Sequence, residues 1–105
     1  MKQLKELLVN RNKLRSLNYL AINTFEALTR LNASHNQLQE EELDNIARVV
    51  LSLPSLKHLD LFGNPVAINA GYKFRLTENP SLEKLDGLDV KGVIKERLDS
   101  LRRDW

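Results

Sequence analysis

The chain has 105 residues, of which 42% are hydrophobic and 29% charged, a composition typical of one globular domain. Sixteen basic and fourteen acidic residues leave a net charge of +2, which is too balanced to predict binding to nucleic acid or to a membrane. There is no cysteine, so disulfides and thiolate chemistry are excluded. The sequence shows no apolar run of membrane length and no secretory h-region, so we do not expect export.

A phrase of the form L-x-x-L-x-V-x-x-N-x-L returns along the chain. Copies begin at Leu4, Leu28, Leu56 and Leu82, spaced 24, 28 and 26 residues apart, and the fourth copy lacks the Asn. The alternating apolar residues point to one face of a short strand, and stacked copies share a core that one copy cannot bury alone. The period and pattern resemble those of leucine-rich repeats.

Many extracellular repeat proteins close their ends with disulfides, which this chain cannot form because it has no cysteine. We therefore expect an intracellular protein: cytoplasmic, ciliary or nuclear.

The Asn of the phrase has a predicted structural role. Asn12, Asn36 and Asn64 occupy the same place in the first three copies. A carboxamide both donates and accepts hydrogen bonds, so a column of them can satisfy backbone groups where the chain leaves each strand. The alternative, that these three Asn are ordinary surface residues, would not explain why they recur at the repeat spacing.

The connections between copies differ in length. The first, residues 14–27, is short, and we expect an irregular or 3₁₀-like crossing with Phe25 buried behind the sheet. The second has helical spacing of apolar residues after the acidic run 40–42, which predicts a helix over residues 41–52 that ends before Pro54. We interpret the acidic run as a helix start favoured by the dipole, in preference to a docking patch.

The end of the chain has a second helical pattern. Apolar residues at positions 90, 94, 98, 101 and 105 form one stripe of a helix over residues 91–104. This stripe could fold back over the open end of the repeats or pair with another helix as a short heptad seam. We favour the covering role, because a helix of this length is marginal on its own in water.

A more specific resemblance lies between Leu61 and Val90. The segment has Leu61-Phe-Gly-Asn64-Pro65, then Tyr72, then residues 79–90, NPSLEKLDGLDV. It resembles the C-terminal cap of a leucine-rich-repeat group that includes the spliceosomal A-prime protein, axonemal dynein light chain one, the phosphatase-1 regulatory repeat protein and tubulin-folding cofactors. The resemblance implies a capped repeat fold and protein partners; some members of the group sit beside RNA. The 28-residue copy is longer than the repeats of this group and is similar to the ribonuclease-inhibitor class.

The predicted fold is therefore α/β. We expect a short right-handed leucine-rich-repeat solenoid with a parallel sheet of four strands on the concave face, helices on the convex face and a C-terminal capping helix. We expect a single domain, 1–105, with repeats at about 1–27, 28–55, 56–81 and 82–90 and the cap helix at about 91–104. The first strand follows Met1 almost directly, so we expect either a monomer whose first repeat contacts a partner or a piece of a longer repeat protein.

The residues between the core leucines predict the concave surface. The first column across it holds Glu6, Arg30, His58 and Lys84; the middle column holds Leu8, Asn32, Asp60 and Asp86; the third holds Asn10, Ser34, Phe62 and Leu88. Most of these residues are polar, as a solvated sheet face requires. Phe62 is the exception and either anchors a partner or folds against the cap. Our candidate binding residues are Phe62, Arg30, His58, Asp60, Lys84, Asn32 and Leu8.

The sequence gives little support to a catalytic or metal-binding site. Ser34, His58 and Asp60 are the residue types of a hydrolytic triad, but no Gly-rich turn or oxyanion hole accompanies them. His35 and His58 lie about 16 Å apart at about 3.3 Å per strand residue, too far to share a zinc ion. We therefore expect no enzyme activity, no metal and no cofactor.

The predicted function is a non-enzymatic protein-interaction module, an adaptor or scaffold in a cytoskeletal, ciliary or nuclear complex. Its partner would be a protein on the concave face, with no membrane role. The alternative is an RNA-associated subunit of a ribonucleoprotein. We do not expect direct nucleic acid binding, because single strands need several stacking aromatics along a basic groove and only Phe62 is well placed.

Overall fold

A five-stranded sheet forms the frame of the molecule. The computed structural model describes residues 3–18, 20, 25–68 and 71–103. The strands lie side by side in chain order: β1 Glu6–Leu8, β2 Arg30–Asn32, β3 His58–Asp60, β4 Lys84–Leu85 and β5 Leu88–Asp89. β1 to β4 pair in parallel, as the repeats predict, and β5 pairs with β4 in the antiparallel direction.

The antiparallel fifth strand corrects the prediction of four strands. A two-residue turn joins β4 to β5, with Asp86 at φ 53° and Gly87 at φ 78°. Positive φ at both central residues is the requirement of the tight hairpin turn that Asp-Gly favours. The sequence interpretation treated Leu88 as a further member of the third surface column, but it lies opposite Leu85 in this hairpin.

The core lies on one side of the sheet. The central leucines of β2, β3 and β4 (Leu31, Leu59 and Leu85) are fully buried, whereas Leu7 of β1 is half-buried. Phe25 belongs to the same cluster, as predicted for the first connection. Ile22, from that connection, lies outside the described residues.

The second connection contains the predicted helix. A 3₁₀ turn over Glu40–Glu42 leads into helix α1, Leu43–Leu51. Its apolar stripe is buried in the core cluster with the strand leucines: Ile46, Ala47, Val49 and Val50. The helix predicted over residues 41–52 is therefore present, but the α-helix begins at Leu43 and the turn before it is 3₁₀.

A buried Asn that the sequence interpretation did not single out secures the end of this helix. The Asn79 carboxamide donates to the carbonyls of Val50 (2.7 Å) and Leu53 (3.2 Å). Its oxygen accepts from the Ser81 amide and hydroxyl. The last carbonyls of a helix have no partner within the helix, so Asn79 ties the end of α1 to the segment that leads into the fourth repeat.

The third connection is built from two short helical segments, a 3₁₀ turn over Pro65–Ile68 and helix α2, Tyr72–Leu76. Tyr72 and Leu76 are buried. Arg75 of α2 forms an exposed salt bridge with Asp44 of α1 at 2.7 Å.

The last helix, α3, spans Val90–Arg103. Its start is set by the hairpin, since the Val90 amide donates to the Glu83 carbonyl at 2.9 Å. Val90 and Val93 are the buried residues of its first turn. Of the described residues in the predicted stripe, only Val90 is buried: Ile94, Leu98 and Leu101 are exposed, because the helix contacts the body of the protein through a neighbouring face. Trp105 lies outside the described residues.

The Asn column is present as predicted. The Asn36 oxygen accepts from the amides of Asn12 and Leu14, both at 3.1 Å. The Asn64 oxygen repeats this contact one repeat later with the amides of Asn36 (3.1 Å) and Leu38 (3.2 Å). Both side chains also donate to strand-end carbonyls. The column thus links the second repeat to the first and the third repeat to the second.

Candidate functional site

The side of the sheet opposite the buried leucines is named here the open face. Its first column is in register as the sequence predicts: Glu6 pairs with Arg30, Arg30 with His58, and His58 with Lys84. All four side chains are exposed. Parallel pairing places neighbouring residues of this row about 4.8 Å apart from strand to strand. Along the row, one acidic residue, Glu6, is followed by Arg30, His58 and Lys84.

A shallow groove crosses the open face and brings together four of the seven candidate residues. Arg30, His58, Asp60 and Lys84 all line it. Glu6, Thr29 and Gly87 complete its sides. The groove offers hydrogen-bond donors and two carboxylates, those of Glu6 and Asp60, to a partner.

Phe62 lies outside this groove, in a separate depression just beyond the end of β3. Its side chain is 43% exposed. The His35 ring meets it edge to face, with ring centroids 5.2 Å apart and an interplanar angle of 90°. An edge-to-face pair is a favourable arrangement of aromatic rings, so a neighbouring repeat supports the Phe62 side chain while one side of it stays open to solvent.

His35 was not among the predicted site residues. It has φ 55° and immediately precedes Asn36, as Gly63 precedes Asn64. That left-handed backbone turns its ring toward Phe62. The sequence does show that His35 precedes the repeated Asn. The repeat pattern does not reveal that the backbone at this position is left-handed.

Two exposed apolar residues near Phe62 were not among the predicted binding residues. Leu88 of β5 and Ile68 of the 3₁₀ turn line the same depression and are 46% and 82% exposed. Together with Phe62 they form a small apolar patch, which we call the Phe62 patch. The third surface column had placed Leu88 next to Phe62, although by a parallel alignment and not by a hairpin, whereas Ile68 belongs to a connection that the repeat pattern does not align.

The remaining predicted residues lie farther along the sheet. Leu8 of β1 is exposed and pairs with Asn32. The Asn32 oxygen is occupied, because it accepts from the amide (3.1 Å) and the hydroxyl (2.7 Å) of Ser34. Ser34 is buried, which corrects its expected place on the surface. That hydrogen bond commits the hydroxyl to Asn32, so Ser34 is not arranged as the nucleophile of a triad with His58.

Asp86 has a role different from the expected one in the middle column. Its Oδ1 accepts from the amides of Leu61 (2.6 Å) and Phe62 (3.1 Å). Burial raises the pKa of the Asp86 carboxyl above its ordinary value, the two amide hydrogen bonds oppose this rise, and the nearby Asp60 charge adds to it. Asp86 thus holds the backbone of Phe62 in place.

The described residues meet neither the requirements of a metal site nor those of a membrane span. Within the described ranges, no three His, Asp or Glu side chains converge where they could hold a metal ion. Among the helices of the described part of the chain, none is both long and apolar enough to cross a membrane.

One comparison with known proteins identifies the repeat. A Leucine Rich Repeat family model matches residues 27–49, which contain β2, the Asn36 turn and most of α1. The chain therefore carries a leucine-rich repeat in this segment. Repeats of this family typically form surfaces that bind other proteins and are not typically enzymes.

Proposed function

We propose that this chain is a non-enzymatic protein-interaction module that acts as an adaptor or scaffold in a cytoskeletal, ciliary or nuclear complex. Its open face would be the concave side of a short right-handed solenoid, with α1 on the convex side and α3 as the cap. The observation that carries the proposal is Phe62, a half-exposed aromatic residue braced by His35 beside a polar groove.

The layout of the face supports this proposal. Interfaces concentrate binding energy in a few aromatic anchors surrounded by polar residues that exclude water. The Phe62 patch supplies apolar area, and the groove with Arg30, His58, Asp60 and Lys84 supplies polar contacts. A parallel sheet that is tied together by the Asn column is rigid, so little conformational entropy would be lost on binding.

The experiment compares two exposed apolar residues. The purified chain captures partners from the source cells, and the recombinant partner is then titrated by calorimetry. Phe62→Ala should reduce affinity by about 2 kcal/mol, close to thirtyfold, with little change in melting temperature. Leu51→Ala is the control, because Leu51 is equally exposed but lies on α1, and it should bind as the parent does. Unchanged affinity of Phe62→Ala, or a large loss of stability, would contradict the proposed anchor.

The second candidate function is an RNA-associated subunit, and the row of Arg30, His58 and Lys84 is the observation that favours it. A partner bound through phosphates loses affinity steeply with salt, whereas one bound through apolar contacts does not. We expect weak binding of single-stranded RNA by the purified chain. Tight binding that falls steeply between about 50 and 200 mM salt would replace the protein-interaction proposal.

A further inference from the structure

Helix α3 has a second apolar row that nothing in the described structure covers. Ile94, Leu98 and Leu101 are 43%, 53% and 52% exposed. Their spacing of four and three residues places them on one face of the helix, over about two turns or 10 Å. Val90 and Val93, by contrast, are buried against the rest of the protein. The helix therefore has one face packed and a neighbouring apolar face open.

Cations border the open row on both sides. At about 100° of rotation per residue, Lys91 and Lys95 lie along one edge and Arg97 along the other. Arg97 is held in place, because its guanidinium lies over the Phe74 ring, 5.7 Å from the centroid, and donates to the Phe74 carbonyl at 3.5 Å. The two acidic residues of the helix, Glu96 and Asp99, fall toward the opposite side.

A depression lies beside the row at its Ile94 end. Pro80, Leu82, Val90 and Ile94 contribute apolar atoms to its walls, and Lys84 and Lys91 stand at its polar edge. The depression also has two acidic residues, of which Asp89 accepts a hydrogen bond from the Lys91 amide at 3.3 Å. A segment lying along the row would therefore have a recess at one end.

We propose that Ile94, Leu98 and Leu101 form a docking row for an acidic amphipathic helix of a partner protein. A helix with anchors at i, i+3 or i+4 and i+7 matches the two-turn length of the row. Glutamates on either side of those anchors would meet Lys91, Lys95 and Arg97. This row is separate from the Phe62 patch, so the proposal goes beyond the binding face already described and gives the module a second surface.

Other occupants fit the same observations less well. A second copy would bring its own cations against those of the first, which opposes self-association. A membrane would need more apolar area than three side chains supply, since interfacial binding scales with buried apolar area. The packing of Val90, Val93 and Arg97 on the protein body also leaves only a narrow part of the helix free to sink into lipid.

The test uses the full chain and two synthetic helical peptides of about five turns. Both carry leucines at i, i+4 and i+7; one has glutamates on the flanks of the leucines, and the other has lysines. We expect the acidic peptide to bind in the range of about 10–100 μM by fluorescence anisotropy, and the basic peptide not to bind. Leu98→Ser should weaken the acidic peptide about tenfold or more, whereas Leu51→Ser, at an exposed leucine of α1, should not.

Charge reversal provides the second arm. Lys95→Glu should weaken the acidic peptide and improve the basic one, and Phe62→Ala should affect neither. The Phe62→Ala result separates this proposal from the proposed function, because either surface can fail alone. Absence of acidic-peptide binding, or equal losses for Leu98→Ser and Leu51→Ser, would overturn the docking row. Leu98-dependent binding to phosphatidylserine vesicles in preference to the peptide, or a Leu98-dependent dimer in sedimentation, would also overturn it.

Discussion

The Asp86 side chain replaces a backbone carbonyl as the hydrogen-bond acceptor for Leu61. At the earlier strands, the amide that follows each strand donates to a carbonyl of the next strand, from Val9 to Asn32 and from Ala33 to Asp60, both at 2.9 Å. After β4 the chain turns back at Asp86. The Leu61 amide therefore donates to the Asp86 Oδ1 at 2.6 Å, and the ladder ends without an unpaired amide.

We predict that Asp86→Asn is tolerated and that Asp86→Ala is not. An amide oxygen can still accept from Leu61 and Phe62, and Asn-Gly suits this turn as well as Asp-Gly does. Alanine removes the acceptor and disfavours the positive φ of Asp86, at a cost of about 2 kcal/mol or more. Urea denaturation of both variants measures the difference. An Asn variant as unstable as the Ala variant would show that the negative charge is required.

The raised pKa of Asp86 also predicts a pH dependence. The folded state holds this proton more tightly than the unfolded chain, whose carboxyl titrates near 3.8. The contribution of Asp86 to the free energy of unfolding is therefore largest below that pH and falls as pH rises through the folded pKa. Asp86→Asn should flatten this part of the stability profile and be slightly more stable than the parent at pH 7, by a few tenths of a kcal/mol because the group is partly exposed. A steeper profile in the variant would contradict the direction of the shift.

The Asn column predicts a graded series of losses. Asn64→Ala removes two accepted and two donated hydrogen bonds in a buried setting and should cost at least about 3 kcal/mol. Asn12 is the matched control. Its carboxamide donates only in an exposed setting, to the carbonyls of Val9 and Asn10, so Asn12→Ala should cost less than about 1 kcal/mol. Chemical denaturation compares the two, and equal losses would contradict the linking role of the column.

Two glycines should respond to alanine in opposite directions. Gly63 has φ 78°, and an added Cβ would overlap the His35 ring, so Gly63→Ala should cost about 2 kcal/mol or more. Gly92 lies within α3, where an added Cβ meets nothing within 4 Å, so Gly92→Ala should stabilise the protein by about 0.5–1 kcal/mol. Thermal melting measures both. In a His35→Gly background, which removes the ring and leaves the positive φ of position 35 unstrained, the cost of Gly63→Ala should fall to its backbone part.

Neighbouring residues of α3 provide a test of the proposed cap. Val93 is 3% exposed and Ile94 is 43% exposed. Val93→Ala should cost about 2 kcal/mol through the cavity it leaves, whereas Ile94→Ala should stay within about 0.5 kcal/mol. Deleting residues 91–105 should then cause aggregation or loss of cooperative unfolding. A truncated chain that stays monomeric and melts like the parent would refute the covering role.

The repeat spacing was sufficient to predict the parallel sheet and its register. Leucines at a period of two, returning after 24 to 28 residues, place Glu6, Arg30, His58 and Lys84 in one row without further information. The same spacing predicted the Asn column, and the helical spacing of apolar residues after the acidic run 40–42 predicted the helix after the second copy. These features depend on local pattern and repetition, which the chain carries explicitly.

The details of the candidate site depended on contacts that no local pattern encodes. The hairpin at Asp86 and Gly87 turns the chain back, so Leu88 lines the same depression as Phe62 and the Asp86 carboxylate accepts from the Leu61 and Phe62 amides. The orientation of α3 follows from how Val90 leaves that hairpin, and it buries Val93 in place of Ile94. The left-handed backbone of His35 directs its ring to Phe62. The amino-acid sequence alone determined which residues share a row, because strand periodicity is local; the tertiary structure decided which of them face solvent, because that depends on how distant segments pack.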